Sequence, residues 1–231
     1  MNILAMDTSS VNATVALCDG SRILGEYTVS GNRAHSQIIM PMLDTLLTRC
    51  NLSINEIDVF AVALGPGSFT GLRIGMAAMK TFASSLGKKI IGISALDEVA
   101  ANFSYTDKYI CPIFDARRND VYNAIYLNGE KIIDDRICDF DIILDELKCK
   151  DVIFAGDAIY KYSDKINSIG NPKWMIAPMH LSMQSAASLA YLAAKKAMNN
   201  EFDDPDTLMP IYIRPSQAER EYMETHKDDK I

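Results

Sequence analysis

The stretch Asn2-Ile-Leu-Ala-Met-Asp7 decides the fold, because the chain repeats its pattern in the second half. It is a short apolar run that ends in an aspartate and enters the polar turn Thr8–Asn12. The stretch Tyr109-Ile-Cys-Pro-Ile-Phe-Asp115 has the same form and enters a polar turn over residues 116–119. Short apolar runs bounded by polar turns are typical of buried strands. Each half of the chain is therefore predicted to begin with a strand that ends in an aspartate.

The same order of elements follows each aspartate. A strand and a hairpin dipeptide come next, Asp19-Gly20 in the first half and Asn128-Gly129 in the second, 13 and 14 residues after the aspartate. Asp-Gly and Asn-Gly between β-rich runs predict two-residue hairpins. A third strand, helical segments and another short apolar strand complete each half. We interpret this pattern as an internal duplication, which predicts an α/β fold with two similar βββαβα halves.

Two helices are predicted in the first half, over Ala34–Cys50 and Ser68–Leu86. Each has apolar residues at helical spacing over more than one stripe, whereas a helix that lies on a sheet needs only one. The second helix also carries Gly71 and Gly75, each of which costs about 1 kcal/mol relative to alanine inside a helix. These glycines predict that another part of a protein approaches the helix closely. A further helix is predicted over 183–198, and a final strand over 208–214.

Composition narrows the classes of function. The chain has 231 residues, a net charge of −7 and 48% hydrophobic residues, which suits a packed globular protein. A negative chain is a poor candidate for binding nucleic acid alone, since the phosphates repel it. Five cysteines without a C-x-x-C pattern indicate neither a disulfide framework nor a zinc ribbon. No signal peptide or membrane-spanning stretch is recognised, so a cytoplasmic protein is expected.

The most prominent local motif is Gly65-Pro-Gly67-Ser-Phe-Thr-Gly71, between a predicted strand and a predicted helix. Backbone N–H groups at a helix start favour anions. The motif nevertheless fits neither the Walker A pattern nor G-x-G-x-x-G. A tight turn with Ser68 as the helix N-cap is one interpretation. The other is a nucleotide or anion contact that involves Asp7, Gly65, Gly67 and Ser68.

The remaining polar residues offer weaker signals. Asp7 and Asp115 either face a metal–nucleotide cleft, as in actin-like folds, or cap their turns. Arg117-Arg118 is interpreted as a solvated turn or as a contact to phosphate or an acidic partner. The histidines, His35, His180 and His226, form no metal-binding pattern, so neither a metal site nor a catalytic residue is predicted.

The run Gly65-Pro-Gly-Ser-Phe-Thr-Gly-Leu-Arg-Ile-Gly75 resembles the bacterial TsaB (YeaZ) family, together with Ala34-His-Ser36 and the strand-Asp-Thr-Ser-Ser opening. The second half resembles it through Asp115-Ala-Arg117 and Pro210-Ile-Tyr-Ile-Arg214. The resemblance implies an actin-like ATPase (ASKHA) superfamily fold and a role in making threonylcarbamoyladenosine at position 37 of tRNAs. It implies a non-catalytic scaffold without cofactors, which forms a heterodimer with its paralogue TsaD, the catalytic subunit. A TsaE-type ATPase would dock on the pair, and tRNA would bind only through the complex.

The resemblance also implies why this branch lacks catalysis. TsaD-like proteins hold a metal through a Val-Asn-His-x-x-Gly-His type segment, and the matching stretch here is Ile93–Val99. The two ligand positions fall on Ala95 and Val99, whose side chains cannot coordinate a metal. A small-molecule kinase of the same fold and a metallopeptidase-like protein are the alternatives. Homodimer formation without the partner is left open.

The expected organisation is an N-terminal half over 1–104, which carries the partner-binding helices, and a C-terminal half over 105–231. The final helix and tail of the second half are expected to pack back on the first. Excess apolar surface and the resemblance place the partner interface on both N-terminal-half helices, at Ile39, Met42, Leu43, Gly71, Gly75, Met76 and Met79. The alternative is that neighbouring elements of the same chain fill both helix faces.

Overall fold

The chain folds into two five-stranded mixed sheets with helices packed against them. The computed structural model describes residues 1–31 and 34–214. The strand order is β3-β2-β1-β4-β5 in the first sheet and β10-β9-β6-β7-β8 in the second. The first sheet and its helices are β1 (Ile3–Asp7), β2 (Asn12–Cys18), β3 (Ile23–Ser30), α1 (His35–Cys50), β4 (Val59–Gly65), α2 (Phe69–Leu86), β5 (Lys89–Ser94) and α3 (Ala95–Ala101). The second half comprises β6 (Tyr109–Asp115), β7 (Asp120–Leu127), β8 (Glu130–Asp139), α4 (Phe140–Leu147), β9 (Val152–Ala155), α5 (Ile159–Ile169), β10 (Trp174–Ile176) and α6 (Ala186–Met198).

The predicted duplication is confirmed by the order of elements and by sheet topology. In each sheet the first strand pairs antiparallel with the second and parallel with the fourth of its half, β1 with β2 and β4, and β6 with β7 and β9. Asn128 and Gly129 have φ angles of 54° and 77°, which suit the tight hairpin turn predicted for this dipeptide. The second half thus repeats the βββαβα order of the first.

The central strands β1 and β2 are buried on both faces. Helices α1 and α2 cover one face of the first sheet, where Leu4, Met6 and Phe60 lie in their core. Helix α6 covers the other face with a row of alanines that packs on Ile3, Ala5 and Ile91. Small side chains let α6 lie close to the sheet. The final helix therefore packs on the first sheet rather than on its own half.

Helix α3 connects the two sheets. It packs against α6 and against strands β6 and β7 of the second sheet. Its residues Ala95, Leu96 and Val99 share a buried cluster with Ile110 and Phe114 of β6. Any loosening of α3 would therefore affect the contact between the halves.

Several predicted elements differ from the structure. The helix predicted over 183–198 begins only at Ala186, because Gln184 lies in the preceding loop and Ser185 is the N-cap residue. The predicted strand over 208–214 is irregular, although Ile211 N donates a 2.8 Å hydrogen bond to Leu64 O near the end of β4. Strand β10, which has only three residues, was not predicted. In the described residues, no helix is long and apolar enough to cross a membrane.

Candidate functional site

The turn after β1 is inserted against the start of α2. Thr8 Oγ1 donates a hydrogen bond to Gly71 O over 2.7 Å and accepts one from Gly75 N over 3.1 Å. Ser9 O accepts a 2.6 Å hydrogen bond from Ser68 N. Ser68 Oγ in turn accepts one from Gly71 N over 3.2 Å, so Ser68 is the N-cap predicted from the sequence. The chain itself therefore satisfies backbone groups at the start of this helix.

Three glycines make this insertion sterically feasible. A Cβ atom on Gly67 would overlap Ser9 O, and one on Gly71 would overlap Thr8 O. A Cβ atom on Gly75 would lie 2.6 Å from Thr8 Oγ1. The prediction that something approaches Gly71 and Gly75 closely is confirmed. The approaching group is the Thr8–Ser9 turn of the same chain.

Asp7 lies beneath this turn and is only 1% exposed. Its carboxylate accepts hydrogen bonds from Ser9 N over 2.5 Å and from Ser9 Oγ over 3.0 Å. Burial nevertheless raises the pKa of Asp7 above its usual value, since desolvation disfavours the charged form more than these bonds favour it. The structure brings Asp7 and Ser68 to the same turn, together with Gly65 and Gly67. A phosphate at Gly67 would have to displace Ser9, so the anion contact stays a prediction without an observed space for it.

The corresponding turn of the second half lies open. The Asp115 side chain is 42% exposed and pairs with Lys161 Nζ over 3.0 Å. Asp115 N donates to Asp157 Oδ1 over 2.9 Å. Burial, reinforced by the charge of Asp115, raises the pKa of Asp157 to about 6. Both aspartates thus end their strands as predicted, but only Asp115 meets solvent.

The residues after Asp115 adopt an unusual backbone. Arg117, Arg118 and Asn119 have φ angles of 65°, 59° and 82°, a region that costs non-glycine residues about 1–2 kcal/mol each. Arg214 stabilises this turn by donating from Nη1 to Ala116 O over 2.6 Å and by pairing with Asp120. The side chains of Arg117 and Arg118 are exposed, which agrees with the solvated turn predicted for these two residues. The segment that ends at Arg214 thus joins the start of α2 to the second half, and residues 215–231 lie outside the described part.

The two positions that correspond to paralogue metal ligands lie in the core. Ala95 and Val99 are fully buried in the apolar cluster around α3. Among the described residues, no group of three or more His, Cys, Asp or Glu side chains is placed to hold a metal ion. His35 lies at the start of α1 with Nε2 2.7 Å from Ser10 O, so it contacts the turn.

The seven predicted interface residues are all buried within the chain. Ile39, Met42 and Leu43 of α1, and Met76 and Met79 of α2, are at most 8% exposed and lie in the core of the first sheet. Gly71 and Gly75 face Thr8. Periodicity marked the apolar side of each helix correctly, but that side meets the sheet. These side chains lie in the core of this structure, and Met42 also lines a surface groove. The interface at these seven residues stays a prediction.

An apolar groove does lie on the outer side of α1. It has a volume of about 480 Å³ and runs between α1 and the edge strand β3. Its lining residues are Tyr27, Val29, Gln37, Ile38, Pro41, Met42 and Thr45. Tyr27 and Val29 are 37% and 39% exposed, and β3 has no strand partner on its outer side among the described residues. Exposed apolar surface beside an unpaired strand edge is typical of interaction sites.

Sequence patterns missed several residues of this region. Thr8 and Glu98 are both buried polar residues. Thr8 directly follows β1, but only the tertiary fold shows that it packs against α2 and that Glu98 lies near the same strand end. Tyr212 stacks on Phe69, with ring centroids 4.3 Å apart, across the start of α2. A polar residue in a turn and a glutamate in a helix carry no periodic signal, so a single sequence could not have placed them.

Comparison with known proteins agrees with this architecture. Residues 22–222 match the family model described as TsaD, tRNA N6-adenosine threonylcarbamoyltransferase. The tRNA threonylcarbamoyladenosine biosynthesis protein TsaB of Bacillus subtilis is 34% identical over 98% of this chain and 100% of its own length. The structure of YeaZ from Pseudomonas aeruginosa has a TM-score of 0.74 at 23% identity, covering 92% of this chain and 100% of that chain. The ethanolamine utilization protein EutJ from Carboxydothermus hydrogenoformans, with a TM-score of 0.55 at 11% identity over 83% of this chain and 90% of that chain, shares the actin-like ATPase fold. The chain belongs to the TsaB family of proteins for tRNA threonylcarbamoyladenosine biosynthesis.

Proposed function

We propose that the chain is a non-catalytic scaffold subunit, required for threonylcarbamoyl transfer to adenosine 37 of tRNA. It acts by forming a heterodimer with a TsaD paralogue, the catalytic subunit. A TsaE-type ATPase docks on the pair, and tRNA binds through the complex in the cytoplasm. Without the paralogue, the same surface is available for a homodimer.

The observation that carries this proposal is the insertion of the Thr8–Ser9 turn against α2. In a nucleotide-binding member of this fold, the space beside such a turn would have to admit phosphates. Here Thr8 and Ser9 use the hydrogen-bonding groups of Ser68, Gly71 and Gly75 themselves. A phosphate that displaced them could accept from Ser68 N and Gly75 N, but Gly71 O would lose its donor, at about 1–3 kcal/mol. This arrangement supports a stable scaffold rather than a kinase.

The chemistry around α3 supports the same conclusion. Ala95 and Val99 pack among apolar side chains, and neither can ligate a metal. Transfer to tRNA, if it depends on a metal in the paralogue, must then occur on the other subunit. The net charge of −7 also disfavours tRNA binding by this chain alone.

The partner surface is the outer side of α1 together with β3. We place it there because the inner side of α1 is occupied by the sheet, whereas Tyr27, Val29 and Pro41 line an open groove. Large exposed side chains around a groove are the residues that contribute most to binding energy. The interface thus keeps the predicted helix α1 and its residue Met42, but it lies beside β3 rather than on the face that meets the sheet.

Reconstitution of the reaction tests the proposed role. The TsaD homologue, a TsaE-type ATPase, threonylcarbamoyl-adenylate and unmodified tRNA are incubated with ATP, with and without this chain. Modification of adenosine 37 is expected only when the chain is present. The chain alone, with the same tRNA and donor, is expected to be inactive. Modification by the chain alone, or undiminished modification without it, would contradict the proposal.

A further inference from the structure

Two acidic residues lie side by side in the interior, at the end of β1. Asp7 is 1% exposed and Glu98 of α3 is fully buried. The Asp7 carboxyl is close enough to Glu98 to interact with it directly. Two ionised carboxylates in contact in a dry environment repel each other strongly, and no water can solvate them.

Glu98 has no donor of its own. Among the described residues, neither carboxyl oxygen accepts a hydrogen bond. The backbone N–H of Ser185 faces this carboxyl but does not reach hydrogen-bond geometry. Asp7, in contrast, accepts two hydrogen bonds from Ser9. A buried polar group without a partner is rare in folded proteins and requires an explanation.

A single proton supplies the missing partner. If Glu98 is a neutral carboxylic acid, its O–H can donate to the Asp7 carboxylate, which keeps both bonds from Ser9. The titratable groups that act most on the pair are His35 from α1, which favours the charged form of Asp7, and Glu26 from β3, which opposes the charged form of Glu98. Burial and the neighbouring Asp7 raise the pKa of Glu98 well above its usual value, in agreement with this assignment.

We infer that Asp7 and Glu98 share one proton at neutral pH, and that this proton holds helix α3 against the end of β1. Because α3 also packs on β6 and β7, the proton stabilises the contact between the two halves. Loss of the proton places two negative charges together and weakens this contact. The chain thereby contains a pH-sensitive contact at the point where its halves meet.

The sign of the pH effect follows from linkage. Both carboxyls have raised pKa values in the folded state. The stability that the proton contributes is therefore fully present below the unfolded-state values near pH 4 and is lost as pH rises toward the folded-state value. Within that window, one extra proton on the folded state makes the unfolding equilibrium constant rise about tenfold per pH unit.

The test measures urea unfolding from pH 5 to pH 9 in an Asp157→Asn background, because Asp157 also has a raised pKa. Glu98→Gln keeps the shape and can donate an N–H to Asp7. We expect Glu98→Gln to abolish the change of about tenfold per pH unit in the unfolding equilibrium constant. At pH 8 the variant should be at least as stable as its parent, the Asp157→Asn protein. Equal slopes in both proteins would overturn the inference. Stabilisation of the parent by added Mg²⁺ or Ca²⁺ that Glu98→Gln abolishes would also overturn it, since the pair would then hold a cation.

Infrared spectroscopy provides a second measurement that does not depend on the folding of any glutamate variant. The carbonyl band of a buried, protonated carboxylic acid is expected in the Asp157→Asn protein at pH 7. It should be absent from Glu98→Gln, and it should disappear from the Asp157→Asn protein at high pH. A parent spectrum at pH 7 without this band would overturn the inference.

Discussion

Asp7 and Asp115 occupy equivalent positions in the two halves, yet their surroundings are opposite. Asp7 is 1% exposed beneath a turn that is inserted against α2. Asp115 is 42% exposed on its side chain, pairs with Lys161, and is followed by three left-handed residues. The same order of strands is thus followed by two different turns. The Thr8–Ser9 turn packs against α2 and is called the filled turn, whereas the turn over residues 116–119 is largely exposed and is called the open turn.

The helices that follow explain this difference. Helix α2 presents Gly71 and Gly75 to the first turn, with Gly67 just ahead of it, and their missing side chains admit Thr8 and Ser9. Helix α5 of the second half contains no glycine within Ile159–Ile169. Its Lys161 pairs with the exposed Asp115 side chain instead. Glycine placement, rather than strand order, determines which turn is buried.

The largest expected effect comes from Gly71→Ala, which tests the filled turn directly. The new methyl group would overlap Thr8 O, a backbone atom that cannot rotate away. We expect a loss of about 3 kcal/mol or more in unfolding free energy, or failure to fold. Gly87→Ala, at the other end of α2, is the matched control because no atom lies within 4 Å of the added Cβ. Its φ of 62° predicts a loss of only about 1 kcal/mol, and equal losses in the two variants would contradict this account.

Thr8→Val should have the next largest effect. Valine preserves the shape but removes the hydroxyl that bonds Gly71 O and Gly75 N, so we expect a loss of about 2 kcal/mol in urea unfolding. Asp115→Asn, the contrasting change in the open turn, removes an exposed ion pair and should cost at most about 1 kcal/mol. If Asp115→Asn cost more than Thr8→Val, the open turn would be the structurally important one.

Asp157, beside the open turn, is expected to make the stability of the fold depend on pH. Its pKa is raised to about 6, so the stability linked to its proton is present near pH 4 and lost as pH rises through 6. Asp157→Asn should therefore flatten the fall in stability between pH 4 and 6 and stabilise the protein by about 1 kcal/mol at pH 8. Thermal melts across this range measure the effect. An unchanged pH profile would show that Asp157 is ionised normally in the folded chain.

The smallest expected effect is that of Arg118→Gly. Arg118 has a φ of 59°, and glycine adopts this conformation without steric cost. The relief of backbone strain stabilises the folded state, whereas the greater chain entropy of glycine stabilises the unfolded state. The net effect should be a gain of about 0.5 kcal/mol in unfolding free energy. Arg49→Gly in the last turn of α1, also at an exposed arginine, is the matched control and should destabilise by about 1 kcal/mol, because helix propensity and a favourable charge at the helix C-terminus are both lost. Destabilisation by Arg118→Gly of the same size would contradict the strain assigned to this turn.

Much of the fold could be predicted because its signals are local. The strand-aspartate-hairpin pattern, the Ser68 cap and the bounds of α1 follow from residues that are close in sequence. Strand β10 has three residues, and the run over 208–214 has strand composition without strand pairing, so local pattern failed for both. The interface predicted from the apolar helix faces stays a prediction, although these faces pack on the sheet within the chain. Periodicity indicates which residues are apolar, but it does not show whether a sheet or a partner covers them.

The candidate site was predictable only in part. Glycine spacing correctly indicated a close approach at Gly71 and Gly75, but it could not identify Thr8 as the approaching residue. Glu98 could not be paired with Asp7, since 91 residues separate them and only the packing of α3 brings them together. The exposed groove between β3 and α1 likewise depends on the tertiary arrangement.

Complex formation with the paralogue tests the central claim most directly. The chain is co-expressed with the TsaD homologue, and the purified material is sized by light scattering. We predict a stable heterodimer that Tyr27→Asp in the groove weakens at least about tenfold without changing the melting temperature of the free chain. The control, Tyr160→Asp on the exposed side of α5, should leave the heterodimer intact. Two separate proteins with no complex at micromolar concentration would contradict the account, and a complex insensitive to Tyr27→Asp would contradict the placement of its interface.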